Sequence, residues 1–248
     1  MIVTTFGLFE KLAADVNMIA RRLLRRLLPQ RVALRLRREW LARQVASGQG
    51  PHFEDDIPLL KTFVKPTDVC WDIGANAGTY TLHLSRLAAH VFAFEPVPHS
   101  FEILRDVTKH AQLANVVVRS MALSDKVGRA RMAIPVEGFY GGFYLASFDT
   151  GGALDVATST IDALIAEGVP EPDFIKCDVE GAEDLVLDGA RELLARRRPI
   201  WLLETFRDDI VPRMQSLGYS AHSRDSRNSL VEVTSRVHER NYWFFPKR

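Results

Sequence analysis

From residue 66 onward, apolar and polar positions alternate in blocks. Five stretches, DVCWDI (68–73), HVFAFEP (90–96), NVVVRSMAL (115–123), DFIKCDVEG (173–181) and PIWLLET (199–205), each carry a nearly continuous apolar run that closes on polar residues. A run with no in–out alternation fits a strand buried on both faces, as in a parallel sheet. Between these runs, residues 79–88, 98–112 and 182–196 place apolar side chains at helical spacing, as with Leu185, Leu187, Leu193 and Leu194. The alternation predicts βαβ units in one α/β, doubly wound, mostly parallel sheet. Two late runs, 217–223 and 240–248, predict an antiparallel pair that closes the sheet at seven strands.

Two segments depart from this rhythm. Residues 135–154 hold five glycines among aromatic residues, which fits either a mobile loop with adhesive side chains over a site or an ordinary irregular connection. Residues 18–44 carry nine arginines, with Ile19, Leu23 and Leu27 on one helical stripe and Pro29 expected to break or kink it. An arginine-rich helical extension over 1–50 is therefore set apart from a domain over 51–248. The extension can pack on its own domain or on a sister subunit of a homo-oligomer, or make peripheral contact with an anionic membrane. It lacks the uninterrupted apolar core of a secretory signal, and Glu10 and Asp15 are foreign to a mitochondrial transit peptide.

Composition narrows the classes. At 47% hydrophobic and 25% charged, the 248-residue chain is too apolar for disorder and long enough for one sizeable domain with an attachment. Its 32 basic and 31 acidic residues leave a net charge of +1, so no global field draws it to nucleic acid and none is expected as a partner. No apolar run approaches the roughly 18 residues of a spanning helix. The expected location is cytoplasmic, with peripheral membrane association through 18–44 as the variant. Cys70 and Cys177, each in an apolar run close to an aspartate, read as buried thiols in a reducing compartment, and no Cys/His spacing suggests zinc.

The candidate chemistry begins at VCWDIGANAGTY (69–80). A dinucleotide fingerprint would place glycines at 74, 76 and 79, where the chain has Gly74, Asn76 and Thr79. Asn76 would put a side chain where a backbone should approach a pyrophosphate. What remains is an acid, Asp72, at the end of a strand, then Gly74, Ala75, Asn76 and Gly78 in a small turn that opens a helix. Glu95 ends the next strand, at about the 20-residue spacing of an acid that takes up a ribose diol and repels a 2′-phosphate. At the end of the third run, backbone groups at Ala122 and Leu123, with Ser124 or Asp125, are placed to read an adenine edge. S-adenosylmethionine fits these pieces, with its sulfonium and amino acid near Asp72 and the turn, ribose at Glu95, and adenine at 122–125.

Several ordered blocks resemble the FkbM family of S-adenosylmethionine-dependent methyltransferases. They are KPTDVCWDIGANAGTYTLHLS, VFAFEPVPHSFEIL, MALSDKVGRARM, STIDAL, IKCDVEGAEDLVLDGA and PIWLLET, followed by Gly218-Tyr219 and NYWFFPK, together covering about residues 58–246. Thr67 stands where the family usually has glycine, Cys70 and Cys177 where it has aliphatic residues, and 135–154 is unmatched. The resemblance implies the class I methyltransferase form of the Rossmann-like fold, and methyl transfer to a hydroxyl of a sugar, glycan or other natural product. Such a reaction needs donor and acceptor held in line and the hydroxyl proton removed.

Asp178 and Glu180 are the candidate catalytic acids, since ligands in open α/β sheets bind outside the carboxyl ends of the strands. A divalent cation held by oxygen ligands is a second way to acidify the hydroxyl, although the sequence assigns no metal ligand. Glu183 and Glu204 fit structural duties better, as a helix N-terminal acid and a strand-end acid. A protein or peptide methyltransferase, or a non-catalytic nucleoside-binding scaffold, are the alternatives.

Overall fold

The computed structural model describes residues 30–48, 54–133, 147–148, 154–196, 198–237 and 240–247. The chain divides between Leu41 and Ala42. Helix α1 spans Gln30–Ala46, while residues 18–29 of the arginine-rich stretch lie outside the described residues.

The main sheet contains β1 (Val69–Ile73), β2 (His90–Phe94), β3 (Val116–Arg119), β8 (Phe174–Cys177), β9 (Ile200–Glu204), β10 (Tyr219–Arg224), β11 (Leu230–Val233) and β12 (Asn241–Pro246), in the order β11-β10-β12-β9-β8-β1-β2-β3. Every neighbouring pair from β9 to β3 is parallel. β12 runs antiparallel between β9 and β10, and β11 adds an antiparallel edge. The doubly wound, mostly parallel sheet is therefore present, with eight strands rather than the expected seven. The extra strand, β11, is a half-exposed edge with only one partner, so nothing forces a continuous apolar run on it.

Apolar residues cover both faces, as the uninterrupted runs require. On one face Trp71, Ile73, Ile175, Trp201 and Leu203 pack against residues of α5 (Ile161–Ala166), α6 (Glu183–Asp188), α7 (Arg191–Arg196) and α8 (Ile210–Ser216). On the other, Cys70, Phe174, Leu202 and Trp243 meet α2 (Ile57–Phe63) and α3 (Thr79–Ser85), and Ala93 meets Leu104 of α4 (Pro98–His110). Both cysteines are buried and free. The Trp71 indole donates to the Pro170 carbonyl at 3.1 Å. The Trp243 indole donates to Asp56 at 2.7 Å, and the Asn241 amide donates to the same carboxylate at 2.9 Å.

A second sheet, ordered β4-β7-β5-β6, joins β4 (Ala122–Leu123), β7 (Leu154–Ser159), β5 (Gly128–Ala133) and β6 (Ser147–Phe148). The single run expected over 115–123 thus divides between two sheets, with β3 pairing β2 and β4 pairing β7. Its strands are short and rich in polar residues, so periodicity did not announce it. Of the 135–154 segment, only 147–148 and Leu154 are described. The helix expected over 182–196 is two helices. They part at Gly189, where a β-carbon would stand 2.1 Å from the Ser124 carbonyl oxygen.

Candidate active site

The strand order reverses between β1 and β8, and there the two backbones run close together. The Asp178 amide donates to the Ile73 carbonyl at 2.9 Å. Gly74, at φ 77°, follows β1 so closely that a β-carbon would lie 1.7 Å from the Asp178 carbonyl oxygen. Glycine is thus required by packing of the chain on itself. The turn then crosses to β2, with the Gly74 and Ala75 amides both donating to the Phe94 carbonyl at 3.0 Å.

Glu95 locks that crossing. One carboxylate oxygen accepts the Asn76 amide at 2.8 Å and the other accepts the Val97 amide at 2.8 Å. Asn76 itself sits at φ 50°, in the left-handed region that asparagine tolerates better than most residues. Its side-chain oxygen is buried with no hydrogen-bond partner among the described residues. Such an atom normally has a partner, so it marks a place where a ligand donor would be welcome.

An open cleft lies above these turns. Seven of the ten expected site residues line it: Gly74, Asn76, Glu95, Ala122, Leu123, Asp178 and Glu180. The other three stand behind the wall. Asp72 is buried and accepts a hydrogen bond from the Thr81 hydroxyl. Ala75 packs with Ala93 and Leu104, and Gly78 precedes the first turn of α3. Ser124 is occupied as well, its amide on the Ser159 carbonyl and its hydroxyl on Asp125.

Sequence reasoning missed Met121 and Met132, which supply adaptable apolar wall. Met132 comes from the unforeseen second sheet. The alternating apolar positions of GRARMA were its only signal.

Burial governs the acids. It pushes Asp72 up to about 6, against the Thr81 hydrogen bond and the Lys176 charge, which lower it. Burial likewise pushes Glu95 up to about 7, against the two amides that favour its charged form. Glu180, at φ 53°, is pushed up to about 7, first by burial and then by the Asp178 and Glu183 carboxylates. Glu183 has a structural duty: its carboxylate accepts the Gly181 amide at 2.7 Å and the Thr205 hydroxyl at 3.0 Å. Among the described residues, no three His, Cys, Asp or Glu side chains are grouped to hold a metal ion.

Comparison with known proteins decides the family: residues 72–221, more than half of the chain, match the Methyltransferase FkbM domain. The chain belongs to the FkbM methyltransferase family. Every cleft acid of this FkbM domain named above falls inside the matched span. The hexuronic acid methyltransferase AglP of Haloferax volcanii is 35% identical, covering 57% of this chain and 57% of its own. The 31-O-demethyl-FK506 methyltransferase FkbM of Streptomyces tacrolimicus is 31% identical, covering 52% of this chain and 62% of its own. The chain thus spans less than two thirds of the length of these relatives. A crystal structure of an FkbM methyltransferase from Methylobacillus flagellatus superposes with a TM-score of 0.52 at 16% identity, covering 73% of this chain and 44% of that one. That likeness supports the class I methyltransferase form of the Rossmann-like fold.

Proposed function

We propose that the chain transfers the methyl group of S-adenosylmethionine to a hydroxyl oxygen of a sugar, glycan or other natural product. The observation that carries this reading is the convergence on one cleft of the Glu95 carboxylate, the unpartnered Asn76 amide oxygen and the Asp178 carboxylate.

The residues present fit the donor. Each Glu95 oxygen retains a lone pair after accepting one amide, which suits two ribose hydroxyls. Met121, Ala122 and Leu123 offer an apolar wall for adenine. Asn76 sets an acceptor oxygen where a cationic or hydrogen-bond-donating group would be favoured. The donor supplies a methyl group already activated on sulfur. The chain's work is to hold the acceptor in line and take the hydroxyl proton. Asp178 lines the cleft and is placed to take it, while Glu180, pushed up to about 7, can hold or release a proton near neutrality. The names of the two relatives, a hexuronic acid methyltransferase and a 31-O-demethyl-FK506 methyltransferase, support an oxygen-rich acceptor.

Incubating the chain with labelled S-adenosylmethionine and a fractionated cell extract tests the reading. Label is expected in a carbohydrate or small-molecule fraction; label in protein alone, or none, overturns it. For residues 18–44 we propose peripheral contact with an anionic membrane, on their density of arginine. Flotation with phosphatidylglycerol vesicles should be lost without residues 1–45, and unaltered flotation leaves only the packing role.

A further inference from the structure

A second charged assembly lies beside the cleft on one face of the main sheet. Side chains alternate along a strand, so Lys176 of β8 shares a face with Asp72, its cross-strand neighbour on β1. Asp178 follows Lys176 by two residues, and Glu204 follows Leu202, the β9 neighbour of Lys176, by two. Four ionisable groups from three strands thus meet at the carboxyl ends of those strands.

Lys176 lies beneath the others. It is 1% exposed, and its Nζ has no hydrogen-bond partner among the described residues. That Nζ stands 3.7 Å from Asp178 Oδ2 and 3.8 Å from Glu204 Oε2, and 4.9 Å from the centre of the Tyr80 ring. The Tyr80 hydroxyl is in turn committed to Glu54 at 2.9 Å. Burial lowers the proton affinity of Lys176, but the Asp178, Glu204 and Glu54 carboxylates more than reverse this, so the ammonium stays charged. Asp178 and Glu204 are 27% and 18% exposed.

Both ion-pair distances exceed hydrogen-bond length. Charge therefore holds each carboxylate beside the ammonium, and both remain partly exposed. Carboxylates only accept, so a pair of them calls for a ligand rich in donors and repels an anionic group. Neighbouring hydroxyls of a sugar ring meet that requirement. Asp178 belongs to both assemblies, which puts the pair within reach of whatever lies in the cleft. Glu204 is pushed up to about 7, first by burial and then by Asp178, so it trades its proton near neutrality.

Resting on the methyl-transfer reading above, we propose that Asp178 and Glu204 form a seat for neighbouring hydroxyls of a polyol acceptor, with Lys176 as the positioning residue that pairs them from beneath. One hydroxyl gives its proton to Asp178 as its oxygen bonds to the methyl carbon. The electron pair of the broken carbon–sulfur bond returns to sulfur. The neighbouring hydroxyl stays hydrogen-bonded to Glu204 and fixes which oxygen reacts.

The test uses the full chain as wild type, Lys176→Met, Lys176→Arg and Glu204→Gln. S-adenosylhomocysteine affinity by calorimetry should stay within about twofold in all of them, because none lines the donor end. Transfer to the carbohydrate fraction that the wild type labels should fall about 100-fold in Lys176→Met and recover to within about tenfold in Lys176→Arg. Glu204→Gln should raise KM about tenfold and leave kcat within about threefold, as loss of a binding contact does. Unchanged transfer in Lys176→Met, or an unchanged KM in Glu204→Gln, overturns the seat, and the second decides if Lys176→Met does not fold.

Carboxyl ¹³C titration needs no acceptor. The Glu204 midpoint should rise on losing the ammonium, and an unmoved midpoint in folded Lys176→Met overturns the pairing. A wild type that binds S-adenosylhomocysteine but labels no carbohydrate or small molecule overturns the methyl-transfer reading instead, and the titration still decides whether Lys176 pairs the acids.

Discussion

Two regions that meet at Asp178, the cleft at the β1–β2 end and the charged assembly beside it at the β8–β9 end, are built by opposite means. At the β1–β2 end, backbone amides occupy both Glu95 oxygens, a hydroxyl reaches Asp72, and one carbonyl takes two amides of the turn. At the β8–β9 end, an ammonium with no hydrogen-bond partner among the described residues stands within 3.8 Å of two carboxylates. The first end is fixed before any ligand arrives and can recognise without rearranging. The second keeps its bonding capacity unspent. Under the function proposed above, binding and chemistry fall on different strands, and separate substitutions should separate them.

Gly74→Ala should have the largest effect, because it attacks the junction of both ends. A methyl group 1.7 Å from a backbone oxygen, at positive φ, cannot be accommodated without moving β1 from β8. We expect more than about 4 kcal/mol of destabilisation, read as loss of the cooperative thermal transition; a normal Tm would refute the close approach.

Asp178→Asn should come next, with transfer down about 100-fold or more and donor affinity within about threefold. A joint loss of both would mean that the two ends are not separable.

Glu95→Gln strikes the other end. One of its two amide contacts would face an NH2 group, and donor affinity should fall about 10- to 100-fold, equivalent to about 1–3 kcal/mol. Calorimetry that finds wild-type affinity would remove Glu95 from the site.

The same residue predicts a pH signature. Burial raises Asp72 from 3.8 to about 6 and Glu95 from 4.5 to about 7, so the folded chain binds protons more tightly than the unfolded one. Their ionisation therefore costs stability as pH rises from about 4 to 7. Glu95→Gln should flatten that decline in urea titrations.

Asn76→Gly should have the smallest effect. Glycine suits φ 50°, so stability should change by less than about 1 kcal/mol, while donor affinity should fall up to about tenfold if the orphan oxygen meets the ligand. Equal affinity would leave Asn76 only the duty of shaping the turn.

Most of this frame was legible in the sequence because strands buried on both faces leave uninterrupted apolar runs. The turn after β1 was legible too, through Gly74 and Gly78 around an Asn76 that a dinucleotide loop would not accept. What escaped lacked those forces. Strand β11 has one partner, and β4 to β7 are short and half polar, so their pairing is set by tertiary context. The sequence reading put Asp72 near the ligand, yet it faces Thr81 and lies in register with Lys176, an arrangement only strand pairing reveals. The ion pair of Glu204 with Lys176 was not legible, because it joins neighbouring strands rather than positions along one.

The position of β12 bears on how the molecule is made. Residues 241–246 lie between β9 and β10, which precede them in the chain. As the polypeptide leaves the ribosome, β10 has no place beside β9 until those residues emerge, and both strands meanwhile present open edges to neighbouring nascent chains. Asp56, bonded to Trp243 and Asn241, waits equally long for its partners. Closure of this half of the sheet therefore waits for residues 241–246, and a ribosome stalled before residue 241 would hold a species prone to aggregate.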